Sequence, residues 1–254
     1  MVLAIDIGNT NIVLGGFEED TLKFVLRIST NPSKTEDEYA SKIRSILSIH
    51  DVLPSCVDGA IVSSVVPPLN PVIKKALKLV YNVDALMVEP GIKTGLNLRC
   101  DDPSSVGSDL ICACVAASQL YGNPALIIDM GTATKILLVD DKGAFVGASI
   151  APGVTMGLRS LASGTAQLPQ VNLEAPKYVS GKNTIDCMKS GVVYGNAAMI
   201  DGMIDRFCEE WGAPLPVYAT GGLAGTIIPH CKHNITIDED LLLKGLYIIY
   251  NKNK

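Results

Sequence analysis

The chain has 254 residues, 48% of them hydrophobic and 19% charged, a balance that excludes intrinsic disorder and allows one large core or two smaller ones. A formal net charge of −5 offers no basic field for nucleic acid or for an anionic membrane. Seven scattered cysteines without a Cys-x-x-Cys pair give neither a disulfide framework nor zinc-ligand spacing, and point to reduced thiols in a cytoplasmic setting.

Val2 to Ile7 is an apolar run that reads as a strand, not a leader peptide, and stops at Gly8-Asn9-Thr10. Ile12 to Phe17 and Leu22 to Ile28 predict two more strands around a Glu18-Glu19-Asp20 turn, so the chain opens as an antiparallel meander. Thr35 to Ile49 sets Tyr39, Ile43, Ile46 and Leu47 at helical spacing behind an acidic first turn. Ala60 to Val66 predicts a buried strand, Pro71 to Tyr81 a helix and Asp84 to Val88 a strand. Val106 to Leu120 predicts a long apolar helix, with Cys112 and Cys114 in its core face, broken at Asn123-Pro124. Polar and turn residues between Leu110 and Ile128 exclude a membrane span there.

The opening pattern then returns. Ala125 to Asp129, Thr134 to Val139 and Ala144 to Ile150 predict strands, with Asp140-Asp141-Lys142-Gly143 as a turn. Helices follow at Val154 to Leu161 and Ile185 to Trp211, then a strand at Val217 to Thr220 ending in Gly221-Gly222. Leu241 to Tyr250 predicts a closing helix, with Asp238-Glu239-Asp240 as its acidic first turn. At an offset of 123 residues, Leu3 to Asn9 lies over Leu126 to Thr132, each a strand, an Asp and a Gly turn. Repetition at half the chain length predicts two similar α/β domains, 1–122 and 123–254.

An apolar strand ending in Asp-x-Gly-Asn/Thr can bind phosphate. Gly permits close approach, the turn amides and the Asn or Thr side chain can donate to phosphate oxygens, and the Asp can hold a hydrated Mg²⁺. One copy is also common hairpin chemistry; two copies at matching places are a stronger signal. Neither a Walker loop nor a Rossmann fingerprint is present. Ser63-Ser64 suits either a cap on its strand end or an approach to an acceptor. Asp109, at a predicted helix start, suits a capping role or a catalytic one.

With those residues in view, Asp6-Ile7-Gly8-Asn9-Thr10 and Asp129-Met130-Gly131-Thr132-Ala133 resemble the two phosphate motifs of the actin-like kinases. Gly107-Ser108-Asp109, Ser149 to Gly153, Thr165 to Pro169 and Gly181 to Thr184 narrow the resemblance to type III pantothenate kinases over nearly the whole chain. It implies two actin-like, ribonuclease H-like domains with a nucleotide cleft between them. The implied reaction moves the γ-phosphoryl of ATP to the primary hydroxyl of pantothenate, in a homodimer that uses Mg²⁺ and a monovalent cation, K⁺ or NH₄⁺. Asp6, Ile7, Gly8, Asn9, Thr10, Asn11, Ile12 and Val13 would form the first ATP phosphate loop, with Asp6 also on Mg²⁺, and Thr132 the second. Asp129 would hold the monovalent cation and Asp109 would be the general base. Cys100, Gly107, Ser108, Asp109, Leu110 and Thr184 would face the acceptor.

Three positions depart from the family pattern. Leu110 stands where an Arg is expected, Cys100 where a substrate-facing Tyr is expected, and Lys135 where a Thr is expected. Lys135, Arg99 or a residue of a second protomer could compensate on the acceptor side. Three functions follow from this: an active pantothenate kinase, a kinase for another acceptor, or a nucleotide-binding regulatory homologue that does not turn over.

Overall fold

The apolar runs fold into two mixed sheets. The computed structural model describes residues 1–254. In chain order the elements are β1 (Val2–Ile7), β2 (Asn11–Glu18), β3 (Thr21–Ser29), α1 (Glu36–Ser48), β4 (Gly59–Ser64), α2 (Leu69–Tyr81), β5 (Leu86–Met87) and β6 (Asn97–Leu98). They continue with α3 (Ser108–Tyr121), β7 (Ala125–Met130), β8 (Ala133–Val139), β9 (Ala144–Pro152), α4 (Val154–Gly164) and α5 (Thr184–Trp211). The chain closes with β10 (Val217–Thr220), α6 (Ala224–Ile227), β11 (Thr236–Ile237) and α7 (Leu241–Lys252).

The first sheet runs β3-β2-β1-β4-β5, antiparallel across the meander and parallel from β1 through β4 to β5. Glu19 and Asp20 make the hairpin turn with φ of 45° and 65°, the primed geometry that matches strand twist. Helix α1 starts at a capping box in which Thr35 and Glu38 satisfy each other's backbone amides, and it buries Tyr39, Ala40, Ile43 and Leu47. Helix α2 buries Leu69, Ile73, Ala76, Leu77 and Tyr81 and ends at Asn82, which takes the left-handed conformation. These helices cover one face of the sheet. On its other face Ala4, Phe17 and Ile61 pack with Cys112 and Val115 of α3 and Leu243, Leu246 and Ile249 of α7.

The second sheet runs β11-β10-β7-β8-β9-β6, so β9-β8-β7-β10-β11 repeats the first sheet's order and its directions. All six residues of β7 are buried, as a central strand covered on both faces requires. Helix α5 is capped by Asn183, whose side chain accepts from Asp186 N, and ends at Gly212 with φ +84°. With α4 and α6 it packs on β7, β8 and β10.

Contacts divide the chain into one unit of residues 1–97, 101–119 and 241–254 and another of 98–100 and 120–240. This differs from the expected 1–122 and 123–254, because α7 packs into the first unit's core, where Tyr247 also stacks on Phe17 at 4.4 Å. The expected acidic turn before α7 differs too. Asp238 is buried and accepts from the Tyr121 hydroxyl at 2.8 Å, within the second unit. The edge strands β6 and β11 were not expected, since two residues carry no readable period.

Candidate active site

In the first unit β1 delivers Asp6 to its end, and the turn after it is pinned from within. Gly8 N donates to Asn11 O at 3.0 Å, and the Thr30 hydroxyl donates to Gly8 O at 2.7 Å. Asn9, Thr10 and Asn11 are exposed at the turn, whereas Ile7 and Ile12 are fully buried partners in the ladder. Of the expected phosphate loop, those two isoleucines anchor the turn in the core and leave contact to their backbone and their neighbours.

Helix α3 begins at Ser108, and its start is tied to the end of β4. Ser108 Oγ lies 2.9 Å from Ser63 Oγ, accepts from Ser64 N at 3.1 Å and lies 3.2 Å from Ser64 O. Ser64 Oγ in turn accepts from Val66 N. Of the two readings of Ser63-Ser64, the structure realises the structural one: the pair fastens the helix that carries Asp109. Asp109 is itself buried, and its Oδ1 accepts from Leu110 N at 2.9 Å. A methyl group at Gly107 would overlap that same Oδ1, so the glycine makes room for the carboxylate.

Cys112 follows about one turn along α3. Burial pushes its thiol well above the usual range, and the Asp6 and Asp109 carboxylates push it further in the same direction. Asp6 pairs with Ser63 in the β1–β4 ladder, and Ser63 Oγ lies 2.9 Å from Ser108 Oγ at the start of α3, so Asp6 and Asp109, 103 positions apart in sequence, belong to one end of the first sheet. Cys112 is the core residue the sequence suggested, fully buried against the first sheet.

In the second unit β7 ends at Asp129 and Met130, and Gly131 N donates to Ala133 O at 3.1 Å, with Thr132 exposed. Two glycines crowd this turn. A methyl group at Gly153 would overlap Thr132 O, and one at Gly221, whose φ is +94°, would meet the Met130 backbone at 2.6 Å. The Ser149 to Gly153 and Gly221-Gly222 segments therefore shape the second Asp-x-Gly turn. Thr184 is exposed as the first residue of α5. Cys100 belongs to this second unit, whereas Gly107, Ser108, Asp109 and Leu110 belong to the first.

The two cations considered as substitutes for an Arg at position 110 are engaged in their own unit. Arg99 Nη1 lies 3.0 Å from Asp140 Oδ2, and Lys135 Nζ lies 2.9 Å from Asp129 Oδ2. No cluster of three or more His, Cys, Asp or Glu side chains could hold a metal alone. Magnesium is usually held by one or two carboxylates with phosphate oxygens, and Asp6, near the end of β1 before the exposed Asn9 to Asn11 turn, is a donor of that kind. The Asp129 site does not fit a monovalent cation in the same way, because its carboxylate already accepts the Lys135 ammonium.

The model of the type III pantothenate kinase family matches residues 2–206, a span that holds both Asp-x-Gly turns, Asp109 and Thr184. The chain belongs to the type III pantothenate kinase family. Type III pantothenate kinases of Halalkalibacterium halodurans and Brevibacillus brevis are 42% and 41% identical to it, over 253 and 254 residues, with 100% of each chain covered. Among solved structures, a candidate 2-dehydro-3-deoxygalactonokinase from Sinorhizobium meliloti superposes with a TM-score of 0.64 at 12% identity. That match covers 99% of this chain and 96% of the other, and it attests the fold. As a type III pantothenate kinase, the chain is an ATP-using phosphotransferase that phosphorylates pantothenate in coenzyme A biosynthesis.

Proposed function

We propose that Asp109 is the general base that accepts the proton of the pantothenate primary hydroxyl as its oxygen attacks the γ-phosphorus of ATP. The new O–P bond forms, the bond to the β-phosphate oxygen breaks, and 4′-phosphopantothenate and ADP leave. The observation that carries this reading is the buried Asp109 carboxylate at the start of α3, which Ser108 ties to the end of β4, the strand paired with β1 and its Asp6. Phosphoryl transfer asks a protein mainly for positioning and charge stabilisation, and a carboxylate near the attacking hydroxyl completes the set.

In this reading the turn amides from Gly8 to Asn11 and the Thr132 turn donate to ATP phosphates, and Gly221-Gly222 leaves room for the nucleoside. Asp6 would hold Mg²⁺, which would supply neutralisation of charge on the transferring phosphates. Gly107, Ser108, Leu110, Cys100 and Thr184 border the acceptor. The enzyme works as a homodimer in the cytoplasm, in keeping with its seven free cysteines. Leu110 cannot supply the paired hydrogen bonds of an arginine, and the acceptor is held without that contact.

Asp109→Asn tests the assignment. Pantothenate-dependent ADP release should fall by about 10²–10⁴-fold, the range of general-base effects, while ATP binding measured by calorimetry stays within a few-fold. Turnover near wild type would remove Asp109 from this role. ATP binding without acceptor-dependent ADP release in the unaltered chain would instead favour another acceptor or a regulatory protein.

A further inference from the structure

In the register of β7 against β8, Asp129 stands directly opposite Lys135. Opposed residues in an antiparallel pair have neighbouring Cβ atoms on one face, so the lysine chain reaches the carboxylate without crossing the sheet. The Nζ–Oδ2 separation is 2.9 Å, and the two side chains are only 18% and 9% exposed. The ammonium is therefore a sheltered single positive charge with N–H donors, fixed at the strand end that leads into the Gly131-Thr132 phosphate turn.

The molecule holds its own comparison. At the matching strand end of the first unit, Asp6 stands opposite Val13, which carries no charge. The second hairpin is one residue shorter: Ile7 pairs with Ile12, but Met130 pairs with Thr134. That difference brings Lys135 opposite Asp129. A free monovalent ion at Asp129 would meet a like charge at close range.

We propose that the Lys135 ammonium takes the place of the monovalent cation at Asp129, so that this kinase needs neither K⁺ nor NH₄⁺. The ammonium supplies the same charge, tethered and present at any salt composition. The proposal rests on the phosphotransfer reading above.

The test uses the full chain freed of K⁺ and NH₄⁺, then supplied with about 0.1 M KCl or with tetramethylammonium chloride at equal ionic strength, so that screening is constant. Three quantities are read: pantothenate-dependent ADP release, ATP affinity by calorimetry, and melting temperature. In the unaltered chain all three should be indifferent to the choice of salt, with rates and affinities within about twofold. In Lys135→Thr, which replaces the ammonium by an oxygen donor, ADP release should fall at least about tenfold without K⁺ and recover with it. ATP affinity and melting temperature of that variant should follow K⁺ in the same sense.

A tenfold or greater rise of wild-type turnover with K⁺, or a thallium(I) anomalous peak at Asp129 in wild-type crystals, would overturn the proposal. The wild-type measurements decide the matter alone if the variant does not fold. Absence of acceptor-dependent ADP release in every salt would sink the kinase reading instead, and the affinity and melting arms would still judge the cation claim.

Discussion

The Asp109 carboxylate is held by two small features of its own loop. The Leu110 amide donates to its Oδ1, and the missing side chain at Gly107 leaves room for the same oxygen. Gly107→Ala should therefore turn the carboxylate away without touching the ATP side. Displacement of a reacting group by about 1 Å can cost on the order of 100-fold. We expect kcat to fall by about 10–100-fold with ATP affinity retained, read by steady-state ADP release beside calorimetry. Equal loss in both would place Gly107 in folding rather than in positioning the base. At this scale the sequence was legible where a residue's type fixed its local conformation, as the turn glycines did. It was not legible where a residue acts through its surroundings. Ser108 reads as an acceptor contact, and nothing in its type showed the tie from its hydroxyl to Ser63 and Ser64 that fastens α3 to β4.

Helix α7 shows what a single element contributes. Leu243, Leu246 and Ile249 are buried against Ala4, Ile61 and the apolar face of α3. Burying such side chains is worth about 1.5–3 kcal/mol each, or roughly 5–9 kcal/mol for three, which is comparable with the whole stability of a domain. A chain ending at Asp240 should lose the first unit's fold while the second keeps its own. Hydrogen exchange would read this as lost protection in β1 and β4 with protection retained in β7 and β10. Equal protection in both would show that α7 is dispensable. The existence of α7 was plain from its apolar spacing, as were the six residues of β1 and the four of β10. Its membership of the first unit was not, because amphipathicity says that a face is buried and never against what.

For the molecule as a whole, one topology is built twice from different residues. Both sheets share an order and directions, and each ends its central strand in an Asp before a glycine turn. The proposed homodimer predicts a light-scattering mass about twice the 26.9 kDa of one chain. A mass near that of one chain would remove it. The sequence by itself determined the meanders, the major helices, the duplicated Asp-x-Gly turns and the family, because these rest on local period and on motifs within a few residues. Only the tertiary structure decided what meets what. The 123-residue overlay sets Lys135 above Ile12, a buried ladder residue opposite Ile7, and nothing in it pairs the lysine with Asp129. Strand register did that, through a hairpin one residue shorter. A one-residue change in register sends each side chain to a new partner, and partners distant in sequence are chosen by packing and pairing, not by local pattern.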